Sequence, residues 1–341
     1  MYLVKKTVSI CSTCLKEIDA QIVVDKSGVF IQKTCPEHGP EQHLIESDPV
    51  YYLHMQQHPV KGIYDAYVLE VTDACNTKCK FCYYPTNQGA VNPPVTDIVA
   101  LAEQNKHLGP FMLIGGEPTM REDLPAIIRG VGEHGIPVLV TNGIKLAEPD
   151  YLLELIDAGL VANGYATISV SLHPESHQEA GTYQAKLRGI ENIIALGLLV
   201  ESVIFVIDDL AEVDEALDFA DKYRGHFGAI RIKLASHIDQ TADFEHSLFA
   251  SDVITYLQAR AKREGKAFGV NPDLPNIFSY CNTRYDGHNI IVLNMPDKRT
   301  LDLSEIACPP WTHLPDGRQV NIAYSLILGE RCPHKPIVKE A

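Results

Sequence analysis

Cys75-Asn76-Thr77-Lys78-Cys79-Lys80-Phe81-Cys82 puts three cysteines in eight residues, spaced C-x3-C-x2-C. Three thiolates so close suit one small inorganic body, one ligand short of the four that close a [4Fe–4S] cube. An iron without a protein ligand is open to another molecule. The setting of this loop decides the fold. It follows the apolar run Ala66–Val71 and precedes a helical stretch, Val95–Leu108. The alternation then repeats. Strands are expected at Phe111–Ile114, Pro137–Thr141, Ala166–Leu172, Ser202–Ile207 and Ala229–Leu234. Helices are expected from Leu124 and at Pro149–Ala158, Tyr183–Leu196, Val213–Tyr223 and Ser247–Glu264. Six β/α units in a row predict an α/β fold, a parallel sheet with helices outside it. Six units rather than eight predict a partial (β/α)6 TIM-like barrel over residues 62–270, with its mouth at the C-terminal strand ends.

The unusual residues gather at that mouth. The cysteine loop, Gly115-Gly116-Glu117-Pro118-Thr119, Thr141-Asn142-Gly143 and Ser171–His173 all fall at or just after strand ends. Gly115 and Gly116 allow backbone groups to approach a ligand closely. Arg231 and Lys233 alternate on the sixth strand and so face one side of the sheet. His173 directly follows the fourth strand and is the candidate catalytic residue. Tyr83, Tyr84, His237, Asp239, Tyr280 and Arg284 are further candidates for touching substrate.

Residues 1–50 form a separate module. Cys11-Ser12-Thr13-Cys14 and Cys35-Pro36-Glu37-His38 are C-x2-C and C-x2-H knuckles, suited to a tetrahedral Zn or Fe site on Cys11, Cys14, Cys35 and His38. Two short strands, Ala20–Val24 and Val29–Lys33, flank the turn Asp25-Lys26-Ser27-Gly28, a zinc-ribbon or rubredoxin-like layout. So small a module builds little core, and a structural metal makes up the deficit. Residues 271–341 form a C-terminal extension, a substrate cap or an auxiliary-cluster segment. It holds a strand-like Asn289–Asn294 and a hairpin around Pro315-Asp316-Gly317. Cys281, Cys308 and Cys332 are candidate ligands of a second iron–sulfur cluster, with His334, substrate or nothing as the fourth. The other reading is three buried apolar cysteines.

The 341 residues carry a net charge of −15, which argues against a nucleic-acid-binding face. No apolar run reaches the roughly 18 residues of a spanning helix, and the start of the chain lacks a signal-peptide h-region. The expectation is a cytoplasmic protein, where nine clustered cysteines point to metal rather than disulfides.

The cysteine loop, with Phe81 before its last cysteine and Gly-Gly-Glu-Pro one strand later, resembles the radical S-adenosylmethionine superfamily across the central domain. The resemblance implies a [4Fe–4S] cluster on Cys75, Cys79 and Cys82, with S-adenosylmethionine chelating the fourth iron. It implies reductive cleavage to a 5′-deoxyadenosyl radical, which abstracts hydrogen from substrate, and a flavodoxin- or ferredoxin-type electron donor. Gly115, Gly116 and Glu117 would meet the cofactor's amino group, and Phe81 the adenine. Ser171 would bond the ribose, with Asn142 a second candidate, and Arg231 or Lys233 would take the carboxylate. The N-terminal stretch resembles the front of archaeal tetraether lipid synthase and the pterin-methylating radical enzymes, which form carbon–carbon bonds. That implies a small-molecule or lipid substrate and carbon–carbon bond formation or methylation. Two other readings stay open: a peptide-modifying radical maturase, and a non-catalytic iron–sulfur electron carrier or scaffold.

Overall fold

The computed structural model describes residues 1–57, 66–79, 81–82, 84, 92–235, 248–270, 280–294, 297–306, 310–314 and 316–329. Tyr83, His237, Asp239, Cys308, Cys332 and His334 lie outside the described residues, as does the side chain of Tyr280.

The N-terminal module is a four-stranded antiparallel sheet in sequence order: β1 (Tyr2–Ile10), β2 (Glu17–Asp25), β3 (Gly28–Cys35) and β4 (Gly39–Glu46). The sequence foretold the central pair only. The outer strands are largely exposed over much of their length, so they lack the apolar alternation that marks a half-buried strand. Ala20, Ile22, Val29, Ile31 and Ile45 pack with Tyr52 of helix α1 (Pro49–Gln56). Asp48 caps that helix, accepting from the backbone N–H groups of Val50 and Tyr51, with Pro49 opening the first turn.

The expected β/α rhythm follows: β5 (Tyr67–Thr72), α2 (Val95–Gln104), β6 (Phe111–Gly115), α3 (Leu124–Gly132), β7 (Pro137–Thr141) and α4 (Pro149–Asp157). A two-residue β8 (Val161–Ala162) precedes β9 (Tyr165–Ser171), α5 (Thr182–Ala195), β10 (Leu199–Ile207), α6 (Glu212–Lys222), β11 (Phe227–Leu234) and α7 (Ala250–Glu264). Strands β5, β6, β7, β9, β10 and β11 lie side by side in that order, all parallel. One face of the sheet, with Leu69, Leu113, Leu139, Ile168, Phe205 and Ile232, belongs to the main apolar core shared with the helices. The opposite side chains, Val68, Glu70, Ser169 and Ser202, are buried as well. A sheet buried on its helix-free face is curling around its own side chains, as a partial barrel does.

The sheet continues past β11. β12 (Phe268–Val270), β13 (Tyr280–Tyr285) and β14 (His288–Leu293) extend that edge, with β14 parallel to β11. At the other edge β15 (Trp311–His313) pairs parallel with β5 and antiparallel with β16 (Gln319–Asn321), which leads into α8 (Ile322–Leu328). The C-terminal segment therefore supplies strands to both edges of the sheet.

Candidate active site

The loops after β5, β6 and β7 are one hydrogen-bonded unit. Gly116 N–H donates to the Thr72 carbonyl at 2.8 Å and Glu117 N–H to the Ala74 carbonyl at 2.7 Å. A Cβ on Gly115 would lie 2.1 Å from Thr72 O, and one on Gly116 2.2 Å from Ala74 O. The close approach that requires these glycines is thus to the stem of the cysteine loop itself. The Glu117 carboxylate accepts from Thr119 N–H (3.0 Å), Thr119 Oγ1 (2.7 Å), Thr141 Oγ1 (2.6 Å) and Asn142 N–H (2.6 Å). It braces the loop after β6 to the end of β7. Asn142 Nδ2 then donates to Asn76 Oδ1 at 2.7 Å, inside the cysteine loop. Within that loop Thr77 Oγ1 lies 3.3 Å from Cys75 Sγ and 3.6 Å from Cys79 Sγ, and Cys82 N–H donates to the Cys79 carbonyl at 3.2 Å. All three thiols are free and partly exposed. Burial pushes the Cys82 thiol up. Tyr84 donates its hydroxyl proton to Glu70, a buried carboxylate on the inner face of β5. Soft, unpaired thiols on a braced loop at strand ends fit an iron–sulfur cluster.

Across the mouth, the carbonyl of Ser171 accepts from Lys186 Nζ at 2.9 Å. Lys186 is almost wholly buried, and burial lowers it to about 8, against the opposing pull of Cys79, Glu117 and Cys75. Sequence reasoning missed it. The signal was there: Lys186 shares a buried helical stripe with Gly189, Ile190 and Ile193, where a lysine is out of place.

His173 adopts a positive φ of 58°. Its N–H donates to the Ile204 carbonyl at 3.1 Å, and its Nδ1 accepts from Val206 N–H at 3.2 Å. The ring proton therefore sits on Nε2. Burial, with the charges of Lys186, Lys233 and His177, holds its pKa well below the ordinary value, so the imidazole is neutral. A second unforeseen group lies beside Phe81. His177 Nε2 is 2.5 Å from Glu212 Oε1 and 3.4 Å from Asp208 Oδ1, and its ring centroid is 4.4 Å from that of Phe81. Arg231 and Lys233 lie opposite Ile204 and Val206 of β10. Arg284 is exposed on β13.

In the ribbon, Cys11, Cys14, Cys35 and His38 bring their ligand atoms within 4.8 Å of one another. His38 Nδ1 is 3.6 Å from Cys11 Sγ and 3.5 Å from Cys35 Sγ, and Cys14 Sγ is 3.9 Å from Cys35 Sγ. Bonds of zinc length would set sulfurs about 3.8 Å apart on a tetrahedron, so the set fits one ion. The backbone N–H of Glu37, with help from His38, brings the Cys35 thiol down to about 6, which favours the ligating thiolate. Cys281 is different. It is fully buried in the main apolar core beside Tyr51, and burial pushes its thiol up to about 11.

Residues 69–220 match the radical SAM superfamily model, and residues 3–47 match the HMPTM N-terminal zinc ribbon domain. The chain thus carries a radical SAM domain behind a zinc-ribbon module. Among similar curated proteins is 7,8-dihydro-6-hydroxymethylpterin dimethyltransferase of Methanocaldococcus jannaschii, 33% identical over 189 residues, 46% of this chain and 37% of that protein. Another, "Probable GTP 3′,8-cyclase" of Archaeoglobus fulgidus, is 33% identical over 178 residues, 48% of this chain and 57% of that protein. Among solved structures, Streptococcus suis SuiB bound to precursor peptide SuiA aligns with a TM-score of 0.48 and 11% identity, over 80% of this chain and 72% of that one. The matches thus span 37% and 57% of the lengths of these two curated relatives. Among the described residues, no helix is long and apolar enough to cross a membrane.

Proposed function

We propose that this protein takes a hydrogen atom from a small heterocyclic molecule by radical chemistry, in the course of carbon–carbon bond formation or methylation. The observation that carries the reading is the bracing of the three-thiol loop by Gly-Gly-Glu-Pro and Asn142, with a buried lysine facing it. Bound there, a [4Fe–4S] cluster and S-adenosylmethionine would supply a 5′-deoxyadenosyl radical by one-electron reductive cleavage. Cys75, Cys79 and Cys82 would hold the cluster. Lys186, desolvated and bonded only to carbonyls, suits the cofactor's carboxylate. The Gly116 carbonyl, the Ser171 hydroxyl and Phe81 suit its amino group, ribose and adenine. Neutral His173 offers Nε2–H as a donor toward substrate. The names of two relatives, a pterin methyltransferase and a GTP cyclase, support a fused nitrogen heterocycle. The ribbon site would hold structural zinc or iron. A cytoplasmic flavodoxin- or ferredoxin-type protein would deliver the electron.

The test is anaerobic. Cluster-loaded, reduced protein is expected to turn S-adenosylmethionine into 5′-deoxyadenosine, and Cys79→Ala to lose both the cluster and turnover. Fully loaded protein that makes no 5′-deoxyadenosine with any pterin or purine offered would sink the reading. Turnover retained in Cys79→Ala would reassign the ligands.

A further inference from the structure

Ser171, Ile204, Arg231 and Ile291 form one transverse row across β9, β10, β11 and β14. Their neighbours Val170, Val203, Ile230 and Ile290 belong to the helix-side core, so the row faces inward. Strands about 4.8 Å apart place Arg231 about 10 Å from Ser171, whose carbonyl holds the Lys186 ammonium. Two separate cationic positions result, one held by α5 at the end of β9 and one on the inner face of β11. Arg231 Nε is buried with no hydrogen-bond partner, and no carboxylate of the described residues pairs with this side chain. Its inner-face neighbours are apolar: Ile204 and Ile291 on either side, Ala229 below. Lys233 lies one pleat nearer the mouth. Asn289, inward-facing on β14, has a second buried atom without a partner, Oδ1.

A guanidinium stays charged and is costly to bury unpaired. The buried Nε finds no acceptor among the described residues and is open to an anionic ligand. S-adenosylmethionine has one carboxylate beside an ammonium and a sulfonium, so it needs one cation, and Lys186 already faces its site. The surplus charge at Arg231 belongs to a different ligand. We propose that Arg231 binds an anionic group of the substrate, a phosphate or a carboxylate, rather than the cofactor. This rests on the radical reading of the site and narrows its substrate to a heterocycle bearing an anion. The planar fork of arginine suits bidentate binding of either group, and the apolar walls strengthen the attraction. A hydroxyl or amine beside the anion would meet Asn289.

The experiment is anaerobic calorimetry on the full-length, cluster-loaded protein. Pyrophosphate and citrate are the two anion probes, titrated with S-adenosylmethionine present, and S-adenosylmethionine is titrated separately. The wild type is expected to bind one probe, which tells phosphate from carboxylate recognition. R231M should weaken that probe tenfold or more while cofactor affinity stays within about twofold. K186M should do the reverse. R231K, which keeps the charge but loses the planar fork, should bind the probe more weakly than the wild type and more tightly than R231M. The proposal is overturned if neither probe binds, if R231M binds the probe as well as the wild type, or if R231M loses the cofactor as strongly as the anion. Absence of 5′-deoxyadenosine in the wild type would strike the parent reading and leave the anion measurement standing, so the two failures are distinguishable.

Discussion

Gly116 leaves no room for a side chain. The atom that a methyl group there would meet is a backbone oxygen, Ala74 O, which cannot swing aside like a side-chain tip. Gly116→Ala is expected to displace the stem of the cysteine loop, so that reconstituted protein loses the loop's iron while the ribbon keeps its metal. Metal analysis reads both in one sample, and a full iron complement in the variant would refute the claim. Gly132, at the end of α3, has nothing within 4 Å of its missing Cβ. Alanine there should be neutral or stabilise by about 0.5 kcal/mol. Glu117 poses a subtler problem. With four donors on one carboxylate, Glu117→Gln must turn an amide N–H toward at least one of them. That should cost about 1–3 kcal/mol, visible as a lower midpoint in thermal unfolding. An unchanged midpoint would mean the brace does not carry the loops.

Elements inherit their reliability from how local their signals are. The six β/α units were legible because each is a short apolar run followed by a helical stripe. Gly-Gly-Glu-Pro and the cysteine spacing were legible because they are contiguous. Lys186 was not, because its meaning depends on α5 burying that face over the end of β9. Nor was the pairing of β14 with β11, a contact across a long intervening helix. That edge has its own electrostatic tie. Asp221 of α6 accepts from Arg224 at 2.6 Å, Lys266 at 3.0 Å and His288 at 3.1 Å, joining α6 to the start of β14. Burial alone would raise its pKa, but the three basic partners outweigh burial and bring it from 3.8 to about 2. A carboxyl lowered by folding adds stability above the unfolded value and loses it as pH falls toward the folded one. The window is therefore about pH 4 down to about pH 2. The side chain is 36% exposed, so a shift of just under two units, ~2.5 kcal/mol at face value, is discounted for solvent screening to ~1 kcal/mol. Asp221→Asn should destabilise by that amount at pH 6 and by almost nothing near pH 2. Urea unfolding at the two values checks it; an equal penalty at both would assign the effect to packing.

At the scale of the molecule, the ribbon and the cysteine loop share one apolar cluster. Ile10 packs with Tyr84, Leu301, Ile306, Tyr324, Leu326 and Ile327, and Leu15 and Cys82 pack against the same group. Ile10 adjoins Cys11 in sequence and Leu15 adjoins Cys14, so the metal knuckle fixes both. Polar ties lock the docking. Ser9 Oγ donates to the Leu301 carbonyl at 2.6 Å, Leu303 N–H to the Val8 carbonyl at 3.0 Å, and buried Lys33 to the Lys298 carbonyl at 3.0 Å. A metal in the ribbon would hold Ile10 and Leu15 in place, and they in turn shield the side of the loop that carries Cys82. Metal binding in so small a module contributes directly to its folding, so losing the metal should loosen that shield. Cys14→Ser is therefore expected to release iron from the cysteine loop several-fold faster than wild type in anaerobic chelator challenge, followed by the fading of cluster absorbance. The prediction is specific in direction: loss from the ribbon accelerates loss from the loop, with no thiol of the loop altered. If the variant lacks ribbon metal yet gives up its cluster at the wild-type rate, the two metal sites are independent, and the shared apolar cluster serves docking alone.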